Sequence, residues 1–357
     1  MNQQNIICPA CGTPARAGAK FCTRCGADLA TGATPQLSPM PTLPALPPGD
    51  ESPTTPRAEP RRDISEAPTI AHTPTAASEA TTLTGMQAIQ QQRALRQNSG
   101  TATHAGLVRD HNEDYVAKLD YSLDQSGAAE PMGFYIVADG MGGYQEGEKA
   151  SRDSVRQAFR DFIEGHILED LRSPTRKLSA TQTASPLEDT LHGLVAEANR
   201  LIRSKRQLTG SNRGTTITAL LIVGSKAAVA NVGDSRTYHM RNGALRQVTQ
   251  DHSLVYSLFK AGQITEEQIY THPQKNEVYR SLGDREDVKI DTFGIEIQAG
   301  DRLLLCSDGL WEMVRNDQIA AILAGATTPQ MACDRLVAEA YDNGGEDNIS
   351  AVVVFLE

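Results

Sequence analysis

The chain has 357 residues, and Asp and Glu (44 residues) outnumber Lys and Arg (34 residues), which gives a formal net charge of −10. This balance argues against a broad non-specific nucleic-acid binder, which would carry clustered basic residues, and it is compatible with divalent cations as ligands. The charge is unevenly distributed, because residues 1–95 are neutral overall and residues 96–357 carry the whole excess. The length alone predicts about two domains of ordinary size.

Residues 1–29 contain two Cys-x-x-Cys pairs, each followed by a glycine. Two residues between thiolates allow one tight turn to present both sulfurs to the same ion, and four thiolates fit a tetrahedral Zn²⁺ site. The alternative is two redox or disulfide pairs, although no βαβ unit flanks them as in a thioredoxin-like motif. We predict a small structural zinc ribbon whose folding free energy comes from the metal. The four predicted ligands are Cys8, Cys11, Cys22 and Cys25.

Residues 30–95 are rich in Pro, Thr, Ser and Ala, and eleven of the 18 prolines lie between Pro35 and Pro74. Such a segment cannot bury enough apolar surface to offset the entropy of ordering, so we predict a disordered linker. A short helix over Met86–Arg96 is predicted to lead into the folded domain. No secretory leader and no uninterrupted apolar span is recognisable, which predicts a cytoplasmic protein without a membrane segment.

Residues 96–357 show short apolar runs that end at turn residues, together with long stretches of helical periodicity. The predicted strands are Phe134–Ala138, Ile217–Val223, Ala227–Val232, Thr237–Met240, Leu303–Cys306 and Ile349–Leu356. The predicted helices are Glu146–His166, Leu187–Leu208, Asp317–Leu323 and Pro329–Asp342.

Acidic residues recur beside glycine where these strands end, at Asp139, Asp234 and Asp308. A single Asp-Gly pair is an ordinary turn, but several strands that end on one side of a sheet can bring their carboxylates to one place. Oxygen ligands without a nearby His or Cys favour Mg²⁺ or Mn²⁺. Arg109 lies next to the acidic pair Glu113 and Asp114, and its planar guanidinium is suited to binding two phosphate oxygens.

Taken in order, these motifs resemble those of the metal-dependent protein serine/threonine phosphatases, the PPM or type 2C class. The resemblance extends from about residue 100 to residue 357. It implies an α+β fold, an αββα sandwich in which helices flank two packed antiparallel sheets. The motifs are Arg109-x-x-Asn112-Glu113-Asp114, Asp139-Gly140-Met141-Gly142-Gly143, Gly214-Thr215-Thr216, Gly233-Asp234-Ser235-Arg236, Asp308-Gly309 and Asp347-Asn348.

The resemblance also implies a centre with two Mn²⁺ or Mg²⁺ ions, where a metal-bridging hydroxide attacks phosphorus. Asp114 is a candidate for orienting that water or accepting its proton. Some eukaryotic relatives carry His where this chain has Met141, so the general acid stays open. In the implied centre Asp139 bridges both ions, and Asp308 and Asp347 hold one of them. The Gly140 carbonyl helps to hold the other ion, whose bound waters contact Glu113 and Asp114. Asp234 matches a residue for a third ion, and Arg109 binds the substrate phosphate.

Cysteine-based phosphatase chemistry is excluded for the two remaining cysteines. That chemistry requires an arginine six residues after the nucleophile, whereas Glu312 and Glu339 follow Cys306 and Cys333 at that distance. Both cysteines are predicted to pack in the core, as is Trp311.

Residues 251–282 resemble the variable flap segment of the family. His252 and His272, which lie within it, are predicted to have surface or capping roles, with contact to substrate or a third metal as the alternative.

The favoured function is a phosphatase that acts on phosphoserine and phosphothreonine in proteins and opposes bacterial serine/threonine kinases. Its partners would be phosphorylated proteins, including such a kinase and its substrates. The alternative is a phosphatase-like scaffold or sensor whose zinc ribbon binds a partner. Degenerate domains of that kind usually lose metal carboxylates, and none is missing here, which favours the enzyme.

Overall fold

A computed structural model describes residues 6–7, 14–15, 95–125, 128–143, 145–168 and 184–357. The chain divides into two units, residues 1–73 and residues 74–357. In the first unit the described residues form two short antiparallel strands, β1 (Ile6–Ile7) and β2 (Pro14–Ala15). The four cysteines of the predicted zinc site and the predicted linker lie outside the described residues, so both remain predictions.

The predicted helix over Met86–Arg96 lies almost entirely outside the described residues. Its last residue is not helical, because the Arg96 backbone N–H donates to the carbonyl of Glu357 at 2.7 Å and the Glu357 N–H returns the bond. The first described residues of the second unit are therefore tied to the residue after its last strand by a pair of backbone hydrogen bonds.

One sheet has five strands in the order β10-β9-β12-β13-β3, and all neighbouring strands are antiparallel. Its strands are β3 (Gln97–His104), β9 (Arg236–Arg241), β10 (Ala244–Gln247), β12 (Arg302–Cys306) and β13 (Ile349–Leu356).

The second sheet is also antiparallel and has the order β11-β8-β7-β5-β4, with a short extra strand beside β5. Its strands are β4 (Asp114–Gln125), β5 (Ala128–Met141), β6 (Gly214–Thr215), β7 (Ile217–Val223), β8 (Lys226–Val232) and β11 (Asp291–Glu296).

Helices cover the outer face of each sheet. Two long helices lie over the second sheet, and the first of them ends in a π-helical turn at Ile163–Ile167. The helices are α1 (Gln145–Phe162), α2 (Ala184–Thr209), α3 (Leu254–Lys260), α4 (Glu266–Thr271), α5 (Asp308–Trp311), α6 (Asn316–Gly325) and α7 (Pro329–Asp342).

Three apolar clusters hold the four layers together. Phe134 and Leu191 belong to the cluster between the second sheet and helices α1 and α2. Leu304 and Leu336 belong to the cluster between the first sheet and helix α7. Alternate residues of the strands, such as Tyr135, point into the third cluster between the two sheets. The predicted αββα sandwich is therefore confirmed.

The structure contains strands that the hydrophobic pattern did not predict. Strand β3 is mostly polar and lies at the edge of its sheet, so it lacks an apolar run. Strand β4 alternates, with Tyr115 facing the helices and Val116 facing the other sheet. Strand β5 also continues through Asp139 to Met141 instead of ending before the aspartate.

Candidate metal centre

The carboxylates predicted from the sequence lie at the ends of strands that border one cavity of about 440 Å³. Strand β4 begins at Asp114, which is paired in register with Asp139 of β5. Asp234 lies between β8 and β9, and Asp308 opens helix α5 directly after β12. The predicted residues that line the cavity are Arg109, Glu113, Asp139, Gly140, Asp234, Asp308 and Asp347.

The guanidinium of Arg109 lies at this cavity with its side chain about half exposed. Its Nη2 is 2.6 Å from Oδ2 of Asp347, and this hydrogen bond raises the pKa of the arginine. Arg109 is thus held permanently charged beside the carboxylates, in a position to meet an anion that enters the cavity.

Asp114 is buried, although one of its oxygens lacks a hydrogen bond. The Ser307 hydroxyl donates to Oδ2 at 2.7 Å, whereas Oδ1 accepts nothing from any residue that the structure describes. Burial raises the pKa of Asp114 to about 7. Oδ1 of Asp308 is likewise buried and has no donor among the described residues. Buried unpaired carboxylate oxygens are costly, which makes both candidates for an unrepresented cation or water.

Burial and mutual repulsion raise the pKa of Asp139 and of Asp308 well above the ordinary aspartate range. A divalent cation between them would favour the ionised forms. Among the described residues, no three carboxylates, imidazoles or thiolates already surround a single point as a finished ligand set. The donors are nevertheless carboxylate and carbonyl oxygens around a cavity with room for several waters, which fits Mg²⁺ or Mn²⁺ that keep bound waters.

Glycines allow the loops of the centre to approach closely. A Cβ on Gly140 would collide with the backbone of Gly147 at the start of α1, and a Cβ on Gly309 would collide with the carbonyl of Asn348. The Glu113 carbonyl accepts from the Gly140 N–H at 3.2 Å and from the Ser151 hydroxyl at 2.5 Å. These contacts fix helix α1 against the loop that carries Glu113.

The side chain of Asn348 is a positioning element to which the sequence analysis assigned no role. Its Oδ1 accepts from the Glu113 N–H at 2.7 Å, and its Nδ2 donates to the carbonyls of Ala105 and His111 at 2.9 and 2.8 Å. It therefore ties the loop of Arg109 to the residue after Asp347. The sequence feature that pointed to this role was the position of Asn348 directly after Asp347 in the shared motif.

A buried cluster of Trp311, Arg236 and Asp251 packs against the turn that carries Asp234. The Trp311 indole Nε1 donates to the Asp234 carbonyl at 3.0 Å, and the guanidinium of Arg236 stacks 3.5 Å from the Trp311 ring. Arg236 also makes a buried ion pair with Asp251, with Nη2 to Oδ2 at 2.7 Å. The predicted core position of Trp311 is confirmed, and Cys306 and Cys333 are buried as predicted.

The surface role predicted for His252 is wrong, because this residue is buried. The Gly233 N–H donates to its Nδ1 at 3.0 Å, and its Nε2 lies 2.8 Å from Nη1 of Arg280 and 3.2 Å from Oδ2 of Asp291. His252 therefore supports the turn before Asp234. His272 does have the predicted capping role, since it ends α4 and its Nδ1 accepts from the Gln274 N–H at 3.1 Å.

Two further features of the cavity involve His111 and the flap segment. His111 lines it, so the predicted absence of a nearby histidine is wrong. The flap segment, residues 251–282, also contributes Asn276 and Val278 to the lining. The segment is attached through Lys275, whose Nζ lies 2.6 Å from Oε2 of Glu312.

The family model for protein phosphatase 2C matches residues 109–340. The chain belongs to the protein phosphatase 2C family. Serine/threonine phosphatase stp of Listeria monocytogenes serotype 4b is 37% identical over 254 residues, which are 71% of this chain and 93% of that protein. Protein phosphatase PhpP of Streptococcus pneumoniae serotype 2 is 32% identical over 252 residues, which are 71% of this chain and 94% of PhpP.

Solved structures of the protein phosphatase 2C family agree with this membership. The crystal structure of the Mycobacterium tuberculosis serine/threonine phosphatase PstP/Ppp has a TM-score of 0.60 and 32% identity, covering 74% of this chain and 99% of that chain. The catalytic domain of PstP in complex with two manganese ions has a TM-score of 0.60 and 29% identity, covering 73% and 99% of the two chains. The predicted family and enzyme class are confirmed. A zinc-ribbon model matches residues 7–29.

Proposed function

We propose that this chain hydrolyses phosphoserine and phosphothreonine in proteins with the help of bound Mn²⁺ or Mg²⁺. The observation that carries the proposal is the convergence of carboxylates from separate strand ends on one cavity that also contains Arg109. Family membership and the likeness to a manganese-containing phosphatase support it. When bound, the divalent ions would supply a nucleophile at neutral pH and neutralise charge on the phosphoryl group.

The roles of the individual residues belong to the proposal. Asp139 would hold both ions, Asp308 and Asp347 would hold one, and the Gly140 carbonyl would hold the other. Glu113 would contact bound water. Asp234 would serve a third ion, and its turn is fixed by Trp311 and His252.

Arg109 would bind the substrate phosphate with its guanidinium fork, which fixes the phosphorus relative to the carboxylates. Asp114 would orient the attacking water or accept its proton at Oδ1, the oxygen that no described residue donates to. Met141 lines the cavity but carries no transferable proton, so the leaving oxygen would take its proton from another group of the cavity.

The remaining parts of the proposal concern the rest of the chain and its setting. Cys8, Cys11, Cys22 and Cys25 would bind one structural Zn²⁺, in line with the zinc-ribbon match. The chain would have three parts, a zinc ribbon at 1–29, a linker at 30–95 and a catalytic domain at 96–357. Of the helices that the structure describes, none combines the length and apolarity needed to span a bilayer. A cytoplasmic location and an opposing bacterial serine/threonine kinase stay predictions.

The test is phosphate release from a phosphothreonine peptide with and without Mn²⁺. The wild-type chain should be active only with the metal, and Asp139→Asn should lose at least about a hundredfold in kcat/KM because it removes a ligand charge. Asp301→Asn is the matched control, since Asp301 is buried but pairs with Arg241 outside the cavity lining. Wild-type protein without metal-dependent hydrolysis would instead favour the scaffold or sensor.

A further inference from the structure

An exposed apolar side chain lines the cavity directly beside Arg109. Among the residues that the structure describes, four large apolar side chains are more than half exposed, Leu107, Val108, Leu208 and Tyr279. Val108 lines the cavity and is 68% exposed, and it directly precedes Arg109. Exposed apolar groups that form part of a cleft usually mark a binding surface.

A second apolar contribution comes from the flap segment. Val278 lines the same cavity, and Tyr279 beside it is 53% exposed. The segment is fixed there by a backbone hydrogen bond from the Tyr279 N–H to the His252 carbonyl at 3.0 Å. Met141 is a third apolar lining residue. Two separate parts of the chain therefore present apolar side chains to the space beside the phosphate-binding arginine.

We infer that these side chains form an apolar rim that selects phosphoproteins with apolar residues next to the phosphoserine or phosphothreonine. We define the apolar rim as the two cavity-lining valines, Val108 and Val278. The inference rests on the proposed function and names the substrate class of that same site. A phosphate bound by Arg109 places the peptide backbone over the cavity, and an extended chain advances about 3.3 Å per residue. The residues on either side of the phosphoresidue then fall within reach of Val108 and Val278.

The chemistry of the rim favours apolar neighbours over charged ones. Neither valine can pair with a charge, whereas burial of a substrate side chain against them removes apolar surface from water. The occupant of the rim is therefore an apolar side chain of the substrate peptide.

The test compares kcat/KM for matched phosphothreonine peptides that have Leu, Ser, Lys or Glu on both sides of the phosphoresidue. Wild-type protein should prefer the Leu peptide over the Ser peptide by about tenfold, the size expected for partial burial of apolar side chains. The double variant Val108→Ser/Val278→Ser should reduce this ratio to about twofold. Because the ratio is taken within each variant, a general loss of activity cancels.

Leu208→Ser is the matched control. Leu208 is 83% exposed near the end of α2 and is not part of the cavity lining, so this variant should keep both the wild-type activity and the tenfold ratio. The inference is overturned if wild-type protein hydrolyses all four peptides equally, if it prefers Lys or Glu, or if the double variant keeps the wild-type ratio. Failure to hydrolyse any of the peptides would instead overturn the proposed function.

Discussion

Lys275 of the flap segment reaches across to Glu312, with its Nζ 2.6 Å from Oε2. Glu312 follows helix α5, which begins with Asp308, so this ion pair connects the flap segment to a loop of the candidate metal centre. Burial raises the pKa of Glu312 and the lysine opposes that rise. The ammonium therefore favours the ionised form of a mostly buried carboxylate beside the centre.

Replacing Lys275 with Met should loosen the flap segment. The change leaves Glu312 buried without its cation, and we expect local opening to become easier by about 1–2 kcal/mol. Amide hydrogen exchange across residues 265–280 should accelerate by about tenfold or more. Lys260→Met is the control, because Lys260 is an exposed lysine of helix α3 in the same segment. Equal exchange in the two variants would show that the ion pair does not hold the segment.

Trp311 is the only tryptophan of the chain, and its indole supports the Asp234 turn. Trp311→Phe keeps an aromatic ring under Arg236 but leaves the Asp234 carbonyl without its donor, which should lower the free energy of unfolding by about 1–3 kcal/mol. Urea denaturation measures this loss. Tyr270→Phe, which changes a neighbouring ring without touching that hydrogen bond, should cost less than about 0.5 kcal/mol. Similar losses in both variants would refute the supporting role.

The metal-free protein should become less stable as the pH rises. The folded-state pKa of Asp114 and of Asp234 is raised to about 7 from 3.8, mainly by burial. Protonated Asp114 and Asp234 therefore stabilise the folded state fully below about pH 4, and this stabilisation is lost as the pH rises through 7. In EDTA, the free energy of unfolding should fall by about 2 kcal/mol or more between pH 5 and 8.

Asp301 has a pKa lowered in the folded state by its partners despite burial, so its contribution has the opposite sign and is lost below about pH 4. Titration of Asp301 therefore does not change the free energy of unfolding between pH 5 and 8. The Asp234→Asn variant should show a flatter decline in that window. A free energy of unfolding that stays constant or rises from pH 5 to 8 in the metal-free protein would contradict the account.

The N-terminal cysteines should bind zinc independently of the phosphatase centre. Purified protein should contain one Zn²⁺ per chain, and Cys22→Ser should reduce this content sharply, because a four-thiolate site tolerates loss of a ligand poorly. Cys333→Ser should keep the zinc, since Cys333 is buried in the core of the second unit. Removal of residues 1–95 should leave hydrolysis of a small phosphopeptide intact. Zinc-free wild-type protein would contradict the predicted ribbon.

Much of the fold was predictable from sequence because its central strands are continuous apolar runs. Strands β7 and β13 are buried along their whole length, and Pro329–Asp342 begins with a helix-starting proline. Strand β3 was not predicted because an edge strand that packs with polar residues has no apolar pattern. Its partners along β13, which are far away in sequence, determine its conformation.

The candidate site was predictable as a set of residues but not as an arrangement. Strand-terminal aspartates beside glycine identified Asp139 and Asp308, because close packing there excludes a Cβ. The supporting roles of Asn348 and His252 depend on hydrogen bonds to backbone groups that are 19 or more residues away. Residue spacing carries no information about such bonds, which also explains why the buried position of His252 was missed.

The most direct test of the account is equilibrium binding of Mn²⁺ to the metal-free, full-length protein, followed by calorimetry. Wild-type protein should bind at least two Mn²⁺ ions per chain, and Asp308→Asn should bind Mn²⁺ at least about tenfold more weakly. Asp301→Asn, which alters a buried carboxylate outside the cavity lining, should bind Mn²⁺ like the wild type. Unchanged stoichiometry and affinity in Asp308→Asn would contradict the claim that the converging carboxylates hold the metal ions.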